Sequence, residues 1–222
     1  MPAPNLITLT DPHAPAAEAY RTLRTNLMFY GVDRQASALV ITSAVPGEGA
    51  SVALANLAVT LAQAGHRTVA VDCDLRKPAQ HALWGLGNER GLTTMLLDNA
   101  ALADPPLQAV GVDHLHVLTS GPLPPNPADL VGSRRMDEVI AALRERADYV
   151  LFDAPPVLAV SDAAVLGHKL DGLLLVLRAG ASRRDLAARA RDELQRVGVN
   201  ILGAVLINAP RDSAVSGYYA RT

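Results

Sequence analysis

The segment Ser43-Ala-Val-Pro-Gly-Glu-Gly-Ala-Ser51 follows an apolar run and opens onto a helical pattern. A phosphate-binding P-loop has a small residue, four others, then Gly, Lys and Ser or Thr. Ala44, Gly49, Ala50 and Ser51 fill that spacing, with Ala50 where the template has lysine. Gly47 and Gly49 allow backbone N–H groups to turn inward, and the N-terminus of the next helix adds partial positive charge. Pro46, Gly47, Glu48, Gly49, Ala50, Ser51 and Val52 can therefore cradle phosphates through the main chain. The Ser51 hydroxyl suits Mg²⁺. Taken alone, the loop could equally be a glycine-bearing turn between strand and helix. A dinucleotide fingerprint fits worse, because Val52 stands where its third glycine belongs.

Two further segments carry carboxylates in matching places. Val71-Asp72-Cys73-Asp74-Leu-Arg-Lys77-Pro78 puts two at the carboxyl end of one apolar run, and Leu151-Phe-Asp153-Ala-Pro-Pro156 puts a third at the end of another. Parallel sheets bind ligands at that edge. Acidic groups converging beside a phosphate loop suit Mg²⁺, which takes oxygen ligands and keeps several waters. Each aspartate alone would pass for a solvated strand end; three in equivalent positions beside such a loop point to a site.

These groups need a scaffold that brings strand ends together. Apolar runs at 38–42, 68–72, 114–118, 149–153, 172–178 and 201–208 alternate with helical patterns at 51–64, 127–146, 161–170 and 182–197. Strands apolar throughout are buried on both faces, and strand–helix repetition gives a parallel sheet covered by helices. The fold expected is α/β and doubly wound, a mostly parallel sheet of about seven or eight strands. Residues 1–35 lie outside this alternation: a Pro-rich lead-in, then a helix over 16–30. Residues 36–210 form the main domain, and 211–222 read as a flexible tyrosine-containing tail. The stretch 121–127, Gly-Pro-Leu-Pro-Pro-Asn-Pro, is neither helix nor central strand.

Composition narrows the function. With 222 residues, 50% hydrophobic and 19% charged, the chain is globular rather than disordered. A net charge of −2 gives no bulk attraction to nucleic acid. The single cysteine, Cys73, excludes an internal disulfide and a zinc site of thiolates. Of the 20 Lys and Arg residues only Lys77 and Lys169 are lysine. No secretory leader or transmembrane helix is apparent, and a cytoplasmic location is expected. His114 and His116 share a strand face but lack a third ligand nearby, so ordinary histidines are expected. Trp84 reads as packing, and the arginines of 182–197 as a solvated face.

In this order the motifs resemble the bacterial tyrosine kinases of capsule and exopolysaccharide systems, a branch of the P-loop ATPases, over about residues 6–208. Ser43 to Gly49 resembles the family's Walker A, Val71 to Pro78 its Walker A′, and Leu151 to Pro156 its Walker B. Gly121 to Pro127 resembles its Gly-x-x-Pro-Pro-Asn-Pro loop. Glu18-Ala-Tyr-Arg21-Thr-Leu-Arg24 resembles its Glu-x-x-Arg-x-x-Arg helix, which implies packing of subunits into a ring. The resemblance implies ATP/ADP binding, Mg²⁺ held by Ser51, Asp74 and Asp153, and Asp72 taking the tyrosine hydroxyl proton. It places Asn208 near adenine, with Arg178 at the same edge. It implies a membrane adaptor of the chain-length-determinant kind as partner, recruiting the chain to the inner face of the plasma membrane, and no nucleic acid.

Two departures bear on activity. The family lysine at position 50 neutralises charge as the phosphoryl group moves; losing one such donor typically costs about 10²–10³ in rate. The family's tail carries a tyrosine cluster, whereas this one offers Tyr218 and Tyr219 as candidate phosphorylation sites. A catalytically inactive nucleotide-binding scaffold of the same system is one alternative. A partition or septum-site ATPase is another, less similar: its signature lysine would fall at Val45.

Overall fold

The computed structural model describes residues 5–30 and 36–210. Two helices, α1 (Ile7–Thr10) and α2 (Pro15–Tyr30), precede β1 (Ala38–Ser43), α3 (Ala50–Gln63) and β2 (Thr68–Asp72). Short helices α4 (Gln80–Trp84), α5 (Leu92–Leu97) and α6 (Asn99–Ala103) lead to β3 (Gln108–Ala109) and β4 (Leu115–Leu118). Then come α7 (Pro127–Gly132), α8 (Arg134–Arg144), β5 (Tyr149–Asp153), α9 (Asp162–Lys169), β6 (Gly172–Arg178), α10 (Arg184–Arg196) and β7 (Ile201–Ile207).

The seven strands form one sheet in the order β3-β4-β2-β5-β1-β6-β7. Every pairing is parallel except β3 with β4. β1 and β2 are buried at every residue. Their side chains alternate between two cores, as the pleat requires: Leu39 and Ile41 join Leu54, Leu61 and Leu27 beneath α2 and α3, while Val40 joins Phe152, Met136, Leu143 and Leu166 under α8 and α9. α3 is buried along almost its whole length because its many alanines let it lie close to the sheet.

The amino edge has its own brace. Asp171 accepts N–H groups of Ser37 and Ala38, each at 2.8 Å, and pairs with Arg144 at 2.8 Å. Burial alone would raise its carboxyl, but Arg144 and those N–H groups overcome it and hold it below the ordinary carboxylate range.

The sheet and its seven strands agree with the expectation. Three details do not. The single helix expected over 127–146 is two, because Ser133 ends one and starts the next: its hydroxyl donates to the Leu130 carbonyl and accepts the Met136 N–H. The stretch 79–103 holds three short helices and 108–109 an antiparallel strand, none of them expected. His114 lies before β4 with φ of +66°, so it does not share a strand face with His116. Trp84 is packed, as expected, at 4% exposure. The tail with Tyr218 and Tyr219 lies outside the described residues.

Candidate active site

The strand ends converge at the carboxyl edge. β1 runs into the loop 44–49, and its neighbour β5 ends at Asp153, which lies in register with Asp72 at the end of β2. The three segments expected to form a site are therefore side by side.

The loop is shaped from within. Glu48 is buried, and its Oε2 accepts the N–H groups of Ala44 and Val45 at 2.9 and 3.0 Å. Its Oε1 accepts the Ser182 hydroxyl. Its side chain thus folds back as a brace, and only its backbone is left to face a phosphate. Gly47 and Gly49 have φ of +86° and +84°. At Gly49 a Cβ would lie 2.6 Å from Ile207 Cδ1, the tip of a side chain that can shift, so it is chiefly the backbone conformation that demands glycine there. α3 starts at Ala50, and among the described residues no acceptor meets the N–H groups of residues 47–52. Such a row of main-chain donors at a helix N-terminus is able to hold an anion. Ala50 is buried at 9% exposure, while Pro46, Gly47 and Val52 are exposed.

The carboxylates differ from one another. Asp72 is fully buried. Its Oδ2 accepts the Ala79 and Gln80 N–H groups at 2.9 and 2.8 Å, and its Oδ1 is buried with no partner among the described residues. Burial pushes it up to about 6. Asp153 is also buried and is pushed up to about 8, by burial first and then by the charge of Asp72; hydrogen bonds from Gln80 and Ser51 pull the other way. Asp74 is half-buried, and its Oδ1 accepts the N–H groups of Arg76 and Lys77 at 3.1 and 2.9 Å.

Arg178 is exposed, with Nη1 3.5 Å from the Gly47 carbonyl oxygen, so its guanidinium lies on the loop. Asn208, immediately after β7, is exposed at φ of +53°. Away from this edge, Arg21 pairs with Glu18 at 2.8 Å on α2, and Arg24 donates to the Thr60 carbonyl at 3.0 Å. Among the described residues Arg24 thus ties α2 to the last turn of α3. Gln80 carried no motif signal, yet its amide reaches Asp153 and Ser51.

A family model for the CobQ/CobB/MinD/ParA nucleotide-binding domain matches residues 39–221. The tyrosine-protein kinase YwqD of Bacillus subtilis (strain 168) is 45% identical over 217 residues, covering 97% of this chain and 91% of that protein. The chain belongs to the bacterial tyrosine-kinase family. Among solved structures of this family, the chimerical protein CapA2B2 superposes with a TM-score of 0.88 at 36% identity, covering 93% of this chain and 90% of that one. The kinase domain of Escherichia coli ETK gives 0.87 at 34%, covering 94% and 82%. The septum-site protein MinD of Pyrococcus horikoshii, solved with Mg-ADP, gives 0.64 at 25%, covering 77% and 69%. The kinase branch is the nearer, and the shared domain is a nucleotide-binding one. Among the described residues no helix is long and apolar enough to cross a membrane.

The donor set fits Mg²⁺. Asp153 and Asp72 are adjacent buried acids, and Asp72 Oδ1 is a buried oxygen without a partner among the described residues. Hard oxygens are what this ion takes, with phosphates and water completing its shell. Among the described residues no group of three or more His, Cys, Asp and Glu is arranged to hold a metal. A site here would thus draw on the carboxylates of Asp153 and Asp74, with Asp72 alongside, the Ser51 hydroxyl and ligands from the nucleotide.

Proposed function

We propose that this chain is a Mg-nucleotide-binding tyrosine-kinase domain whose phosphoryl transfer is attenuated by Ala50. The row of N–H groups over 47–52 that meet no acceptor among the described residues, beside Asp72 and Asp153, carries this reading. The loop amides and helix N-terminus hold the β-phosphate region. Arg178 borders the loop, with Asn208 on the adenine side. Ser51, Asp74 and Asp153 would hold Mg²⁺, which when bound neutralises charge between the phosphates. Tyr218 or Tyr219 of a neighbouring copy would be the acceptor. Asp72 would take the hydroxyl proton on Oδ1, its Oδ2 being fixed by Ala79 and Gln80. Since Asp72 is fully buried beneath the segment 73–80, that step requires the segment to move.

The missing lysine acts on charge that moves in the transition state, so rate suffers more than affinity. The test pairs ADP affinity by calorimetry with phosphotyrosine detection, for the chain and for Ala50→Lys. We expect ADP to bind both, and phosphotyrosine to rise about a hundredfold or more in Ala50→Lys. Undiminished kinase activity with Ala50 would contradict the attenuation. Membership of the kinase branch supports reading the chain further as part of a capsule or exopolysaccharide system, assembled in a ring and recruited to the inner face by a chain-length-determinant membrane adaptor.

A second reading, a nucleotide-binding scaffold without catalysis, is favoured by one observation: Ala50 belongs to the apolar cluster under α3. Failure of Ala50→Lys to restore any phosphotyrosine, with ADP still bound, would select it.

A further inference from the structure

Gln80 is fully buried at the start of α4 and touches three positions of the proposed site. Its backbone N–H donates to Asp72 Oδ2 at 2.8 Å. Its Nε2 donates to Asp153 Oδ2 at 2.8 Å and to the Ser51 carbonyl oxygen at 3.2 Å. Its Oε1 accepts the indole N–H of Trp84 at 3.0 Å. The direction of the amide is fixed by chemistry. An indole N–H can only donate, so it must meet the amide oxygen. The NH₂ is then turned toward two acceptors, the Asp153 carboxylate and the Ser51 carbonyl. Reversing the amide would set its oxygen against both and its NH₂ against a donor.

We infer that Gln80, oriented by Trp84, is a positioning residue for the Mg²⁺ site, an inference that rests on the nucleotide-binding reading above. It holds Asp153 by one oxygen and the first turn of α3 by the Ser51 carbonyl. The Asp153 carboxylate and the helix turn that carries Ser51 therefore keep a fixed spacing, and the carboxylate rotates less freely when a cation arrives. The amide is neutral, so it supplies two hydrogen bonds without adding a charge that would compete with the ion or repel it. Partners that orient a metal's ligands typically change its affinity by about 10–100-fold when removed. Trp84 is the chain's only tryptophan, so its emission reports directly on this link.

The test is calorimetric ADP binding, with Mg²⁺ and separately with EDTA, for the full chain, Gln80→Leu and Trp84→Phe. In the unaltered chain Mg²⁺ should strengthen ADP binding. Gln80→Leu should lower that gain about tenfold or more, and Trp84→Phe by a smaller factor, while affinity in EDTA stays within about twofold. Mg-ADP should shift Trp84 emission in the unaltered chain and leave it unmoved in Gln80→Leu. Equal losses with and without Mg²⁺ would reveal a purely structural residue and overturn the proposal. Should Gln80→Leu fail to fold, Trp84→Phe decides: an unchanged Mg²⁺ gain there overturns it. Absence of any ADP binding by the unaltered chain would instead overturn the reading of the site itself.

Discussion

Asp72 and Asp153 share a buried strand edge, and each resists ionisation there because burial and the neighbouring charge favour the protonated acid. They are raised to about 6 and about 8 from an ordinary 3.8. Over that range the folded chain binds protons that the unfolded chain has released. Stability is therefore full below the unfolded value and falls as pH rises through the folded values. We expect the melting temperature in EDTA to drop between about pH 5 and 8, and Asp153→Asn, uncharged throughout, to drop less. Mg-ADP should shrink the fall, since a cation favours the ionised pair. Thermal melts across that range check it; a melting temperature that rises with pH, or an identical slope in Asp153→Asn, would contradict it. Ala50, Ser51, Asp72 and Asp153 were legible in the sequence because loop spacing and strand ends announce them. Gln80 was not: a lone glutamine in a five-residue helix has no motif, and its role exists only once α4 is folded against β2 and β5. Glu48 was legible as part of the loop, but its inward brace depends on Ser182, far along the chain.

The junction of β1, loop and α3 tolerates little change. Gly49→Ala must hold φ of +84° and push Ile207 Cδ1 away from a contact at 2.6 Å. The backbone conformation alone costs about 1–2 kcal/mol for a residue with a Cβ. Chemical denaturation should show at least that loss, and Ile207→Val in the same chain should recover the part due to the contact. A neutral Gly49→Ala would mean that α3 does not start as described. At the opposite edge, Asp171→Ala removes the acceptor of two N–H groups and of Arg144. The expected loss is about 2 kcal/mol, with ADP affinity unchanged, because the brace joins the amino ends of β1 and β6 to the end of α8, at the edge opposite the loop. Denaturation and calorimetry together separate the two effects. Central strands such as β1 and β2 could be read from sequence because burial on both faces makes them continuously apolar. The short helices of 79–103 could not, since five or six residues are too few for an apolar period to repeat, and β3 is two residues long. The break at Ser133 is a capping event inside an otherwise helical pattern, which periodicity alone does not register.

For the molecule as a whole, the proposed ring and the proposed chemistry can be tested apart. Glu18 and Arg21 form a partly exposed pair on α2, while Arg24 is engaged with the Thr60 carbonyl within the chain. Arg21 also donates to the Pro12 carbonyl at 2.6 Å. Exposed contacts of this kind contribute under about 1 kcal/mol each to the fold, so Arg21 could exchange them for a neighbour's carboxylate at little cost. Light scattering should give a mass above the 23.4 kDa of one chain, falling toward it in Arg21→Ala with Arg24→Ala. A mass unmoved by both substitutions would remove α2 from the interface. We expect the carboxyl edge of the sheet to hold Mg-nucleotide although the loop lacks its lysine. The direct measurement is calorimetric titration of ADP into the unaltered chain, with Mg²⁺ and then with EDTA. We expect saturable one-site binding that Mg²⁺ strengthens and that Asp153→Asn weakens only when Mg²⁺ is present; no binding, or binding indifferent to both Mg²⁺ and Asp153, would contradict a Mg-nucleotide site at this edge.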